Sequence, residues 1–217
     1  LELELPARVH VLRGDNAQGK TNLLEALFYI ATTRSPLASS DRQLIAWSAS
    51  EEVIPFARVE ADYVRGGREH TLEITMQLEP QESGAAELAL RRKIRLDGVP
   101  RRAMDVLGQL NVVLFLPQDI ALVNGSPGQR RRYLDVTLCQ IDSVYCRALS
   151  RYGRILTQRN ALLNSVRERR AALHELDYWD TQLSECGALV LARRIWAVER
   201  LNPLVDAVQR ALTGQSE

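Results

Sequence analysis

Eight consecutive residues, Gly14-Asp15-Asn16-Ala17-Gln18-Gly19-Lys20-Thr21, have the spacing G-x-x-x-x-G-K-[ST]. That pattern is a phosphate-binding loop. Gly14 and Gly19 permit positive φ and close backbone approach, so the successive N–H groups from Asp15 to Gly19 can wrap phosphate oxygens. Lys20 supplies a compact ammonium for the β- and γ-phosphates, and the Thr21 hydroxyl is placed to ligate Mg²⁺. The choice of Lys is informative, because only two of the chain's 28 basic residues are lysines. A planar guanidinium fork is too wide to curl inside a tight loop, whereas an ammonium acts there as a point charge. The chemistry indicated is binding of ATP or GTP with Mg²⁺. No guanine-reading N-K-x-D stretch is present, which favours ATP.

Such a loop needs a strand before it and a helix after it. Leu5 to Leu12 reads as a strand, with Leu5, Val9, Val11 and Leu12 apolar, and Thr21 to Ala31 reads as a helix whose N-terminal partial charge faces the phosphates. A polar loop, Thr32 to Ser40, leads to a short amphipathic segment, Asp41 to Trp47. Alternating apolar residues predict strands at Phe56–Val64, His70–Leu78 and Leu88–Leu96, with Gly66-Gly67 and Asp97-Gly98 as turns and Pro80 to Ala86 as a loop. A short helix is expected over Val106–Leu110 and a buried strand over Asn111–Leu116.

From Ser126 the period becomes helical, with Ser126 as N-cap and Pro127 at the helix start. Tyr145, Leu149, Tyr152, Leu156, Arg159, Leu163 and Val166 form an a/d seam with one polar break. A second seam runs through Leu176, Trp179, Leu183, Cys186 and Val190, after a charged turn near Arg167 to His174. Two such helices predict an antiparallel hairpin. The expected fold is therefore α/β: a mixed sheet around a P-loop helix over residues 1–125, then an antiparallel helical domain over residues 126–217. The 1–125 lobe is expected to be partial. No second strand ends in the carboxylate that would hold the Mg²⁺ water, since Val112 to Asp119 is interrupted by Pro117 and has no acid pair.

The bulk composition narrows the classes further. Charged residues make up 25% and hydrophobic residues 46%, as in ordinary globular proteins. A net charge of +1 excludes a uniformly basic protein but leaves room for local basic patches. No apolar run approaches membrane-spanning length, and the N-terminus lacks a basic-then-apolar layout. Cys139, Cys146 and Cys186 lack C-x-x-C spacing and read as core thiols in a reducing cytoplasm. His10, His70 and His174 are scattered singly.

The stretch Gly14-x-Asn16-x-x-Gly19-Lys20-Thr21-Asn22-Leu-Leu-Glu25-Ala26 resembles the P-loop of the SMC/Rad-type ATPases, a branch of the ABC superfamily. Thr33-Arg34-Ser35, Phe115-x-Pro117-Gln118-Asp119, Gly125-Ser-Pro127-x-x-Arg130-Arg131-x-x-Leu134-Asp135 and Trp179-Asp180-x-Gln182-Leu183 with Gly187 resemble a DNA replication and repair member of that family. These matches follow the family's order over essentially the whole chain. The resemblance implies ATP and Mg²⁺ as cofactors and an ATP-dependent homodimer. It implies binding to single- and double-stranded DNA at gaps or junctions, recombination mediator partners for recombinase loading, and a link to the SOS response. It also implies a first strand before Leu1 and a C-terminal part carrying the signature motif and the catalytic carboxylate. Leu183-Ser-Glu-Cys-Gly187 is not that signature, since it lies on the second seam helix. No catalytic residue is therefore assigned within these residues, and the 217 residues alone are expected not to turn ATP over. Gln118 and Asp119 occupy the position of the family's Q-loop, where a side chain reaches Mg²⁺ or the γ-phosphate; a purely structural turn is the other reading. The alternatives are another SMC-like repair ATPase, of the OLD or RecN type, or a nucleotide- or DNA-binding module without turnover.

For DNA, Arg91, Arg92, Lys93 and Arg95 form one basic run, and Arg130 and Arg131 a second at a helix start. Such clusters hold phosphates without reading bases. Cations at a helix N-terminus oppose its dipole, so Arg130 and Arg131 require an anionic partner, and Asp135 is the nearby candidate.

Overall fold

The computed structural model describes residues 1–6, 9–46, 54–80 and 88–214. Residues 7–8 of the expected first strand, Trp47, most of the expected 80–86 loop and the last three residues lie outside the described residues. The chain divides into two compact units, Leu1–Val106 with Val112–Leu114, and Leu107–Asn111 with Phe115–Glu217.

In the first unit, helix α1 (Lys20–Thr32) is followed by a 3-10 turn (Asp41–Leu44), then by an antiparallel sheet. The sheet has the order β1 (Phe56–Arg65), β2 (Arg68–Glu79), β3 (Ala89–Leu96), β4 (Val99–Pro100). Both expected hairpin turns form as two-residue loops, closed by Arg65↔Arg68 and Leu96↔Val99. Their central residues all have positive φ, 59° and 76° at Gly66-Gly67 and 52° and 75° at Asp97-Gly98, the turn that matches strand twist. The alternation then sorts the faces. Leu72, Ile74 and Met76 of β2 are at most 1% exposed, and Ile94 of β3 pairs with Ile74 on the same face. The C-terminal half of α1 packs on β1 and β2 and buries Tyr29, Ile30 and Ala31. The opposite sheet face carries Arg58, Glu60, Glu73, Arg91, Lys93 and Arg95.

Three expectations fail here. Among its described residues, the Leu5–Leu12 segment forms no strand, and Val9 and Val11 are 83% and 85% exposed. Asn111–Leu116 likewise forms no strand, and Val113 and Phe115 are 86% and 81% exposed. Both have strand-like patterning, but a strand exists only with a ladder partner, and the β1–β4 sheet offers neither one. The expected 106–110 helix forms earlier, as α2 (Ala103–Val106). Gly108 at φ 81° ends it, and a Cβ there would meet the Gln140 carbonyl oxygen at 2.5 Å, so only glycine fits.

The second unit is helical: a 3-10 turn (Pro117–Ile120), α3 (Ala121–Asn124), α4 (Pro127–Ile141), α5 (Ser143–Arg167) and α6 (Leu176–Thr213). Ser126 is the N-cap of α4, with Pro127 as its first residue, and its backbone N–H donates to the Gln129 side chain at 2.8 Å. Asp142 caps α5, accepting from the N–H groups of Val144 and Tyr145 at 2.9 and 3.0 Å. α5 and α6 pack together along the two predicted seams. The polar break Arg159 is satisfied by Asp180 of α6, and Arg151 donates to Gln182. A Cβ at Gly187 would touch Tyr152 at 3.3 Å, so the Trp179-to-Gly187 motif builds this interface. No helix among the described residues is long and apolar enough to cross a membrane.

Candidate nucleotide-binding site

Helix α1 opens at Lys20, directly after Gly19, whose φ of 81° turns the chain into the helix. Ala17 is also left-handed at φ 64°, a conformation that a non-glycine residue holds at a cost of roughly 1–3 kcal/mol. Asn16, Ala17, Gln18, Gly19, Lys20, Thr21 and Asn22 line an open cavity of about 330 Å³ at this helix end. The first turn of α1 contains no acidic side chain, so its N-terminal dipole is not neutralised from within. Lys20 Nζ donates to the carbonyl oxygens of Gly14 at 2.7 Å and Asp15 at 2.5 Å, which holds the ammonium on the wall of the loop. Thr21 and Asn22 are exposed. A triphosphate fits this donor set: backbone N–H groups on a helix end, one compact cation, and a hydroxyl for a hard divalent metal. Among the described residues no cluster of His, Cys, Asp or Glu could hold a metal by itself. Mg²⁺ would therefore depend on Thr21 together with the nucleotide's own phosphates.

Behind the loop, the far end of α1 is locked. Thr33 is left-handed at φ 56°, and its N–H caps the helix on Tyr29 O at 2.7 Å. Arg92 reaches over from β3 and donates to Thr33 O at 2.9 Å and to Asp41 Oδ2 at 3.1 Å; the Tyr29 hydroxyl donates to the same carboxylate at 3.0 Å. Burial pushes the Tyr29 phenol up to about 12. Ser35 donates to Glu25 and accepts the N–H groups of Leu37 and Ala38, which fixes the Thr33-Arg34-Ser35 corner. Thr32, Thr33 and Ser35 are buried, and Arg34 alone points outward.

The other sequence-predicted residues divide by role. Arg91, Lys93 and Arg95 project from the outer face of β3, where Glu79 of β2 lies 3.0 Å from Arg91 and 3.7 Å from Lys93. Arg92 faces the other way and is engaged by the contacts just described. Gln118 is exposed on the 3-10 turn of the second unit, and the Asp119 carboxylate accepts the Leu116 N–H at 2.7 Å, capping that turn. Arg130 donates to the carbonyls of Leu122 and Gly125 at 3.5 and 3.1 Å. Asp135 is not its partner. That carboxylate is gripped through both oxygens by Arg194 of α6, at 2.9 and 2.8 Å, and also accepts the Tyr145 hydroxyl at 2.5 Å. Sequence reading missed this tie because its members lie 59 residues apart.

A phosphate loop at the head of a helix packed on an antiparallel sheet, with a helical hairpin following in sequence, is an α/β lobe of the nucleotide-binding P-loop class. Similarity to known proteins sharpens that class. The DNA replication and repair protein RecF of Chloroflexus aurantiacus is 46% identical over 220 residues, covering 99% of this chain and 56% of the relative. RecF of Herpetosiphon aurantiacus is also 46% identical, over 99% of this chain and 57% of the relative. A solved structure of the recombination mediator protein RecF with ATP, in the RecFOR pathway, superposes with a TM-score of 0.67 at 27% identity, covering 86% of this chain and 46% of that one. A second, described as RecF-ATPrS, gives 0.69 at 28% identity, covering 85% of this chain and 46% of that one. No family model matches. The chain matches the N-terminal part of RecF, and it spans a little over half the length of the curated relatives it resembles.

Proposed function

We propose that this chain is the ATP-gripping part of a RecF-type DNA-repair ATPase. One observation carries the reading: the open cavity lined by Asn16 to Asn22 at the head of α1, with the Lys20 ammonium on its wall. The solved RecF structures with ATP support it. With ATP bound, Lys20 would exchange its carbonyl partners for phosphate oxygens, the backbone N–H groups from Asp15 to Gly19 would hold the phosphates, and the Thr21 hydroxyl would be the protein's ligand to Mg²⁺. Gln118 and Asp119 are candidates for Mg²⁺ or the γ-phosphate on their Q-loop position in the sequence alone, with Asp119 also accepting the Leu116 N–H. ATP then acts as the glue of a homodimer on gapped or junction DNA, working with recombination mediator proteins to load recombinase in the cytoplasm and feeding the SOS response. In this reading the nucleotide lobe is assigned to residues 1–125 and the helical domain to residues 126–217, although residues 115–125 cluster with the helical unit. DNA phosphates would rest on the outer face of β3, where Arg91, Lys93 and Arg95 form a row about 7 Å apart. Arg92 supports that row from behind. Arg130 and Arg131 are a second candidate contact.

Nucleotide titration of the chain and of its Lys20→Ala variant tests the reading. Losing the charge-assisted contacts should weaken Mg·ATP binding roughly ten- to hundredfold, from about 1.5–3 kcal/mol. The wild-type chain should bind ATP without measurable turnover, because no catalytic carboxylate is assigned within it. Equal affinity in the two proteins would overturn the reading.

A further inference from the structure

We infer that the outward face of α5 is a second phosphate-tracking surface, which docks the backbone of duplex DNA against the helical unit. The inference rests on reading the chain as a DNA-repair ATPase, and it adds a contact which that reading places nowhere. Helix α5 carries Arg147, Arg151, Arg154, Arg159 and Arg167 and contains no Asp or Glu in its 25 residues. Five positive charges thus gather on one helix in a chain whose net charge is only +1.

Their placement is not explained by packing. At 100° per residue, Arg147, Arg151 and Arg154 fall within 60° of one another, on the side opposite Tyr145, Tyr152, Leu156 and Leu163. All three are exposed, whereas Arg159, beside the seam, is held by Asp180. Arg151 leans on the neutral amide of Gln182, and the guanidinium groups of Arg147 and Arg154 contact no carboxylate among the described residues. Unneutralised guanidinium groups repel one another, and of the three only Arg151 makes a fold contact among the described residues, through the Gln182 amide.

The rest of the face chooses between partners. A protein partner needs buried apolar or aromatic anchors at the centre of its interface. Beyond Val144 in the first turn, the exposed positions of α5 are Ser143, Arg147, Arg151, Gly153, Arg154, Thr157, Gln158, Asn160, Ala161, Asn164 and Arg167. Arginine with hydroxyl and amide side chains is the donor set that protein surfaces turn toward phosphate oxygens. The helix is about 37 Å long, and Arg147, Arg151, Arg154, Gln158 and Ala161 fall on one stripe of it, so the three guanidinium groups lie along a line that a nucleic-acid backbone can follow.

The test measures binding of the chain to a mixed-sequence DNA duplex as a function of salt. The proteins compared are wild type, the triple variant Arg147→Gln/Arg151→Gln/Arg154→Gln, the matching triple Arg→Lys variant, and the sheet variant Arg91→Gln/Lys93→Gln/Arg95→Gln. Helical circular dichroism verifies the fold of each. Loss of three phosphate contacts should lower the slope of log K against log salt by about 2 to 3 and weaken binding roughly tenfold or more at low salt. The Arg→Lys variant should recover most of that binding, since charge rather than shape is at stake. If the Gln triple variant binds duplex like wild type while the sheet variant is impaired, the α5 inference falls and the DNA reading stands. If wild type binds no duplex, both fall. If the α5 variant loses affinity only for a poly-glutamate peptide, the partner is an acidic protein segment and the inference is overturned.

Discussion

Asp135→Asn is the sharpest single test of how the helical unit is held together. The wild-type carboxylate takes two hydrogen bonds from Arg194 and one from Tyr145, joining α4, α5 and α6 at one point. The pair is shielded, with side-chain exposures of 23% for Arg194 and 21% for Asp135. It lies beside the cluster of Leu138, Tyr145, Val190 and Ala197. The amide keeps the shape and one acceptor, but loses the charge and presents donors to a guanidinium that cannot accept. A hydrogen bond to a charged group is worth about 1.5–3 kcal/mol, and breaking a fully buried pair costs about 3–5 kcal/mol. With about a fifth of each side chain still in water, we expect a net loss of about 3 kcal/mol. For a chain of this size that lowers the melting midpoint by roughly 6–12 °C. Thermal melts followed at helical wavelengths read it directly. Arg194→Gln should cost a similar amount, and the double variant much less than the sum, with a coupling of about 1–3 kcal/mol. A shift below about 2 °C, or additive effects, would refute the claim that this tie carries the three-helix junction.

Other outcomes follow from the first unit. Arg92→Ala removes the donor to Thr33 O and Asp41, and should destabilise that unit by about 1–3 kcal/mol in denaturant titration; no change in its midpoint would contradict the assignment. Spectrophotometric titration should find the Tyr29 phenol ionising at about 12, above the ordinary phenol value of 10.0. Because the folded value is raised, that stability is full below pH 10 and is lost as pH climbs through about 12. The Asp97 carboxylate is held below its ordinary 3.8 by His70, which lies 2.9 Å away, and by the Thr71 N–H. Its contribution is present above 3.8 and is lost as pH falls through the lower folded value, so Asp97→Asn should flatten the acid limb of the stability curve.

Much of the fold could be read from local signals. The phosphate loop, α1, the two hairpins and the seam helices all depend on residues close in sequence: Gly19 before a helix, Gly66-Gly67 and Asp97-Gly98 between alternating strands, Ser126-Pro127 before α4. Where the reading failed, the missing term was long-range. Leu5–Leu12 and Asn111–Leu116 have the right alternation, but pattern alone cannot supply the neighbour that makes a strand. The direction of Arg92 is likewise invisible in a run of four cations; only its register opposite Met76 places it on the inner face. Asp135 looked like the partner of nearby arginines, because a helix suggests neighbours one turn away, whereas its real partner arrives from α6. The first 22 residues of α6 continue the predicted seam through Val190 to the buried Ala197, beyond which every described residue is exposed.

The lock on Thr33 has a mechanical consequence. Helix α1 is 13 residues long, a strut of about 20 Å. One end is free to grip a load at the loop, and the other is bolted to β3 through Arg92. A rod fixed in this way cannot slide along its axis without pulling on the strand that bolts it. An axial shift of α1 at Gly19 would have to be taken up at the contacts of Arg92 with Thr33 and Asp41, and its immediate neighbours, Arg91 and Lys93, face outward on the opposite side of the sheet. Softening that bolt, rather than altering either end's chemistry, would uncouple the two.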